Sequence, residues 1–353
     1  MITPNPILGV LLHAIGATSA AFCYTPQKGT QSWSWQTFWL AQASICWLIL
    51  PILVAWITIP ELGKVLAEAP TSAMRNAFLL GMLYGVGGTA FGVAIKHLGF
   101  SLTYAVAIGI SCVLGTLLPP AISGQLAEVF GKPGANWVMA GIAIGTIGIF
   151  LSGLAGRLKE LDLAENSGSF NLAKGLPLCI LAGVLSAVYG FSLAAGQPIA
   201  DTAAKYGAGH FEGNAIYIFS NTGAFLTTAL YCFWLHQRHK SLGEYFKLPT
   251  GMHRARLPLN FLLAGVTGCL WYGQFFFYGL GHVRMGDYKF SSWGIHMIML
   301  VLFSAMVGLI FREWKGCTKR TWFSLGAALI VLVLAVVSLA LGSYFGEAQA
   351  LGH

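Results

Sequence analysis

The sequence predicts an all-α protein that crosses a lipid bilayer ten times. Three observations carry that expectation. Of 353 residues, 56% are hydrophobic and only 9% are charged. The mean hydropathy is +0.70. Apolar stretches of about 20 residues, the length that crosses about 30 Å of hydrocarbon as a helix, recur along the whole chain. A soluble chain of this length would need far more polar surface. The 44 glycines fit the same picture, because helices in hydrocarbon associate through close backbone approach.

The predicted spans cover residues 7 to 25, 36 to 58, 74 to 95, 100 to 122, 136 to 155, 174 to 197, 212 to 235, 259 to 280, 289 to 311 and 322 to 345. Residues 96 to 99 alone separate the third and fourth, which predicts a tight helical hairpin. Pro119 and Pro120 are expected to end the fourth span and Pro51 to kink the second, since proline lacks the N–H that continues a helix. The N-terminal MITPNPILGVLLHAIG has no basic n-region, so its apolar run is read as the first span rather than a signal peptide. Six of the seven cysteines fall in spans and Cys317 lies in a basic loop. No CxxC pair occurs, so neither a disulfide framework nor a zinc or other metal site is expected.

The longest polar connections are 156 to 173 and 236 to 258. The first leaves five spans on either side, giving an expected repeat at 1–158, a cytoplasmic linker at 159–173 and a second repeat at 174–353. An odd number of spans per half makes related halves inverted, an arrangement of secondary transporters. A short echo, FLLGMLYGVGG at 78 to 88 and FLLAGVTGCLW at 261 to 271, opens the third span of each half. The odd-numbered loops, counted with the span ends that border them, hold 14 Lys and Arg against 6 for the even loops. By the positive-inside rule the odd loops are cytoplasmic and both termini lie outside. The basic excess is therefore a topology signal, and no nucleic-acid partner is expected.

Enzyme signatures are missing: there is no GxSxG, no HExxH and no P-loop. All 12 carboxylates fall in loops or at span ends, so no span carries one near its middle. The densest concentration of aromatic and polar groups runs from Trp271 to Leu302. It holds Trp271, Tyr272, Gln274, Phe275 to Phe277, Tyr278, His282, Ser291, Ser292, Trp293 and His296. Aromatic faces stack on the C–H groups of an uncharged solute, and amides and hydroxyls bond its hydroxyls. The plain alternative is packing and an interfacial belt.

His13 and His296 each lie a few residues into spans that begin on one side, which puts both imidazoles about 10 Å below the same surface. They are proton-binding candidates, or else neutral histidines bonded to the backbone. His282 and Asp287 are candidates for a gate or relay at the mouth between the eighth and ninth spans. Asp287 is equally an ion-pair partner for Arg284 and Lys289. The other polar groups within spans, Gln42, Thr89, Ser111, Ser186, Ser192, Gln197, Asn214 and Asn221, serve either a solute or helix contacts.

Several blocks resemble the L-rhamnose/proton symporter family, a branch of the drug/metabolite transporter superfamily. They are LLHAIGATSAAFCYTPQK (11 to 28), WSWQTFW (33 to 39), YGVGGTAFGVAIKHLG (84 to 99), YAVAIGI (104 to 110), FNLAKGL (170 to 176), LSAVYGFSLAAG (185 to 196), WYGQFFFYGLGH (271 to 282) and SSWGIHMIMLVLFSAMVGLIFREW (291 to 314). The resemblance implies a ten-helix, inverted five-plus-five fold of the drug/metabolite transporter type. It implies a cavity lined mainly by helices one, three, four, six, eight and nine. It also implies import of a 6-deoxyhexose with H⁺ across a bacterial inner membrane, without any other cofactor.

His13, Tyr84, Trp271, Gln274, Phe275, Tyr278, Trp293 and His296 are then the expected sugar-contacting residues. Phe275 to Phe277 would form an apolar patch for the deoxy methyl group. His13, His296, His282 and Asp287 are the expected proton carriers. Two departures stand out: Gln36 replaces a glutamate of the family's WSWET, and the turn from Arg284 to Trp293 is one residue shorter. The superfamily pattern also implies cytoplasmic termini, against the charge count. Alternatives are an exporter or exchanger of another small metabolite on the same fold, or a membrane solute receptor.

Overall fold

The computed structural model describes residues 3–98, 100–163, 171–247 and 256–350. The middle of the expected linker, 164–170, therefore lies outside the described residues. The helices are α1 Pro6–Phe22, α2 Trp35–Ala43, α3 Leu50–Thr58, α4 Leu62–Glu68, α5 Thr71–Leu98, α6 Phe100–Ile122, α7 Leu126–Gly131, α8 Ala135–Asp162, α9 Leu172–Ala195, α10 Gln197–Lys205, α11 Asn214–His239, α12 Arg256–His282, α13 Ser292–Ile310 and α14 Lys319–Ala350. No strand occurs among the described residues. Ten stretches are long and apolar enough to cross a membrane, and each contains the core of one predicted span. The protein is an all-α, multi-pass membrane protein.

The expected boundaries fail where polar side chains find partners off the end of a span. The fifth span does not stop near residue 155 but continues as helix to Asp162. There Arg157 meets Glu160 at 3.4 Å and Lys159 meets Glu313 at 3.2 Å. The Asp162 carboxylate accepts from the Thr318 N–H (2.8 Å) and the Thr321 hydroxyl (2.6 Å), capping the start of α14. The expected linker thus begins inside α8. The fourth span keeps Pro119 and Pro120 within its last turn, because their carbonyls still accept from Ser123 (3.1 Å) and Gln125 (2.8 Å).

In the second span, α2 and α3 are joined by a π-helical stretch, Ser44–Ile49, in which the Leu50 N–H reaches back five residues to the Ile45 carbonyl. Pro51 cannot donate to the Trp47 carbonyl, and the wider turn accommodates the ring that would otherwise collide there. This π-stretch stands just before the proline at which the kink is expected.

The chain divides into two compact units. The first holds residues 1–21, 87–191 and 277–353; the second holds 22–86 and 192–276. The chain passes from one to the other within α5, α9 and α12. The first unit packs α8 against both α6 and α14, and Ala155, Ala305, Trp314 and Leu325 form a core where α8, α13 and α14 meet. The second sets α11 against α2 and α3, with a core of small residues such as Ala55, Ala69, Ala73, Ala203 and Ala215.

Within the second unit, α5 and α11 touch backbone to backbone. A Cβ on Gly81 would lie 2.0 Å from the Ser220 carbonyl oxygen, and one on Gly223 would lie 2.1 Å from that of Phe78. Gly268 of the echo makes a similar approach, since a Cβ there would sit 2.6 Å from the Ile45 Cβ. Such contact replaces the hydrophobic drive that hydrocarbon cannot supply.

Gly223→Val is therefore expected to force α11 away from α5, destabilising the fold by about 1–3 kcal/mol. Gly265→Ala, where a Cβ meets nothing within 4 Å, is expected to be silent. Thermal unfolding in detergent, followed by size-exclusion, compares the two.

Candidate functional site

Two clusters, one in each unit, stand out from the surrounding apolar packing. In the first unit α1, α12 and α13 bring three histidines around one tyrosine. Tyr278 lies 5.2 Å from His13, 5.5 Å from His296 and 5.7 Å from His282, measured between ring centroids. His13 and His296 stand edge to face at 6.0 Å, so the two imidazoles placed at equal depth by the sequence do meet. His13 fits because α12 carries glycine opposite it: a Cβ on Gly281 would lie 3.1 Å from the imidazole. Both nitrogens of His13, and Nδ1 of His282 and His296, are buried without a hydrogen-bond partner.

Trp293 closes one side of this cluster, 5.7 Å from Tyr278 and 6.1 Å from the buried Tyr189. Its N–H donates to the Ser111 carbonyl at 3.0 Å, and Gly115, one turn along α6, leaves the space for the ring. With its only donor engaged, Trp293 offers faces rather than a hydrogen bond. Ser111 also donates to Ser186 at 2.9 Å, so those two hydroxyls hold α6 to α9.

In the second unit Trp271 is the hub of an aromatic box. Tyr24, Trp39 and Trp47 meet it edge to face at 5.3, 5.5 and 5.6 Å. Trp35 stacks on Trp39 at 5.0 Å and half-buried Tyr84 stands 6.0 Å from Trp47. Tyr217 donates its hydroxyl to the Phe275 carbonyl at 2.7 Å and packs on the Phe275 ring at 6.0 Å. Gln274 is buried on α12.

Some expectations need correcting. Phe275 to Phe277 do not make one apolar patch: successive residues of a helix point about 100° apart, and Phe275 packs on Tyr217 while Phe276 stacks on Phe211. Asp287 is exposed, and its carboxylate forms no ion pair or hydrogen bond among the described residues. It is the Asp287 carbonyl that accepts, from Lys132 at 3.2 Å. Gln36 is buried and donates its amide to Ser241 at 2.8 Å, and Ser241 in turn lies 2.8 Å from His236 Nδ1. A carboxylate does cap this helix, but from the loop after α11: Glu244 accepts from the Ser34 N–H and the Thr37 hydroxyl, both at 2.6 Å.

Tyr24, Trp39 and Trp47 were not expected in a site. For Trp39 a signal was present in the spacing, because Trp35, Trp39 and Gln42 recur at four and three residues and so share one helix face, whereas Tyr24 and Trp47 fall outside that pattern.

The sequence model of the L-rhamnose-proton symport protein (RhaT) family matches residues 3–343. The chain is 32% identical over 338 residues to a protein named L-rhamnose-proton symporter from Yersinia pestis (strain Pestoides F), covering 95% of this chain and 98% of that one. It is 33% identical over 340 residues to a protein of the same name from Cronobacter sakazakii (strain ATCC BAA-894), again over 95% and 98%. With both clusters lying inside the matched region, this chain belongs to the L-rhamnose-proton symport protein family.

Proposed function

We propose that this protein imports L-rhamnose, or a close 6-deoxyhexose relative, together with a proton across the bacterial inner membrane. The observation that carries this reading is the match along nearly the whole chain to relatives named for that activity. The two clusters support it chemically. An uncharged sugar needs stacking faces and hydrogen-bond donors, and the box around Trp271 supplies indole rings with Gln274 beside it. A proton needs a base inside the membrane. With no carboxylate near the middle of any span, the imidazoles of His13, His282 and His296 are the available bases.

His13 and His296 share one proton in this reading. At 6.0 Å a second positive charge would be opposed by about 3 kcal/mol at an effective dielectric of about 20. Tyr278 of α12, in ring contact with all three imidazoles, positions them. The same helix carries Trp271, so a movement of α12 that answers protonation also reaches the sugar box. Transport follows alternating access, with the sugar and proton taken up on one side and released on the other.

Two related halves, 1–158 and 174–353, inverted as in the drug/metabolite transporter fold, suit this cycle. In support, each half contributes one stretch, 22–86 or 192–276, to the second unit. By the charge count, the termini face the periplasm and the stretch 159–173 faces the cytoplasm.

Labelled L-rhamnose is expected to accumulate in proteoliposomes under an inwardly directed pH gradient, and a protonophore is expected to abolish the accumulation. L-fucose, D-mannose and L-lyxose, added in competition, rank the specificity. Exchange without accumulation would make the protein a facilitator instead.

The His13→Ala, His296→Ala double variant is expected to lose at least tenfold in gradient-driven accumulation while still exchanging sugar across the membrane. If the double variant kept pH-driven accumulation, the proton would have to be bound elsewhere.

A further inference from the structure

Resting on the reading of the protein as a sugar carrier, we infer that Gln42 of α2 selects the sugar by hydrogen-bonding its ring hydroxyls within the tryptophan box. The second span was not among the helices expected to line a cavity, yet it supplies two of the indoles that meet Trp271.

Gln42 lies between them in the sequence. It follows Trp39 by three residues and precedes Cys46 by four, so it shares the face that Trp39 turns toward α12. The backbone confirms the proximity: a Cβ on Gly268 of α12 would come within 2.9 Å of the Gln42 carbonyl oxygen. The π-stretch Ser44–Ile49 adds to this face. Eight residues separate Trp39 from Trp47, which in an unbroken α-helix would leave them about 80° apart. The wider π-turn reduces that angle, and both rings reach Trp271 at nearly equal distance, 5.5 and 5.6 Å.

The Gln42 side chain is 0% exposed, and neither its Nε2 nor its Oε1 has a hydrogen-bond partner. The indole nitrogens of Trp39 and Trp47 are buried without acceptors as well. A hydroxyl in such a position can turn to a carbonyl of its own helix, but a glutamine amide cannot satisfy itself in that way. Asn214, Gln36 and Ser192 of this unit are paired, with Thr58 at 2.9 Å, Ser241 at 2.8 Å and the Ala77 carbonyl at 2.7 Å, whereas the Trp271 nitrogen and the Tyr272 hydroxyl are, like the Gln42 amide, buried without a partner.

A buried, unpartnered amide on the span that carries two unpartnered indole donors of the box matches one ligand chemistry, a neutral polyhydroxylated ring. The Gln42 Oε1 accepts from one sugar hydroxyl, and its Nε2 and the indole N–H groups donate to others. Charged solutes find no counter-ion here, and purely apolar ones leave the amide unsatisfied.

The test compares wild type with Gln42→Leu and Gln42→Asn in proteoliposome uptake of L-rhamnose and of its monodeoxy analogues. Because Gln42→Leu removes an unpaired buried amide, thermal stability is expected to be equal to or above that of wild type. Its KM for L-rhamnose is expected to rise about tenfold with little change in maximal rate. The discriminating readout is the analogue series. Wild type is expected to reject the analogue lacking the hydroxyl that Gln42 binds, Gln42→Leu to accept it as well as L-rhamnose, and Gln42→Asn to fall between. An unchanged KM, or an equal loss for every analogue, would overturn the assignment.

If wild type takes up no L-rhamnose, the transport reading falls on its own. Gln42 is then judged by tryptophan fluorescence against a panel of neutral monosaccharides. Quenching in wild type that is weakened in Gln42→Leu upholds the assignment, and no quenching in wild type overturns it.

Discussion

Inside hydrocarbon no water is available to pair a polar group, so a donor or acceptor that enters a span must be matched within the protein or stay unmatched at a cost of about 1–3 kcal/mol. That constraint sorts the polar side chains of this protein into two kinds. Ser111 with Ser186, Ser192 with Ser220 and the Ala77 carbonyl, and Asn214 with Thr58 join one helix to another. Gln42, the three clustered histidines and the indole nitrogens of Trp39 and Trp47 have atoms left over. The first kind builds the scaffold; in the transport reading proposed above, the second serves the solute and the proton.

The histidine cluster depends on how closely helices approach its rings. Gly281 leaves room for the His13 imidazole beside α12, and Gly115 leaves room for the Trp293 indole beside α6. Each glycine therefore sets the place of an aromatic ring on another helix. The π-stretch before Pro51 has the same consequence by a different route, because it turns Trp47 toward Trp271 without interrupting the span. The strain a proline introduces is turned into an orientation that a regular helix would not provide.

α12 is the element on which the two clusters are strung. Trp271 and Phe275 belong to the second unit, while Tyr278 and His282 belong to the first, and the helix between them is unbroken. The departure at Gln36 takes its meaning from the loop after α11. That loop closes onto the start of α2, where Trp33 donates to the Glu244 carbonyl at 2.9 Å and Tyr245 donates to the Thr37 carbonyl at 2.9 Å. Glu244 accepts from the Ser34 N–H at this helix start, and the Gln36 amide bonds Ser241 instead.

The sequence by itself determined the all-α class, the ten spans and the likeness to a family of symporters, because hydrophobicity over about 20 residues is a local property. It also placed His13 and His296 at one depth, since depth follows from counting along a helix. Only the tertiary structure decided which faces meet. Tyr278 among three histidines, Trp271 among Tyr24, Trp39 and Trp47, and the separate partners of Phe275 and Phe276 all depend on helix rotation and close approach. A hydrophobic pattern that runs nearly all round a buried helix leaves rotation undetermined, and interhelical contacts between residues far apart in the chain settle it.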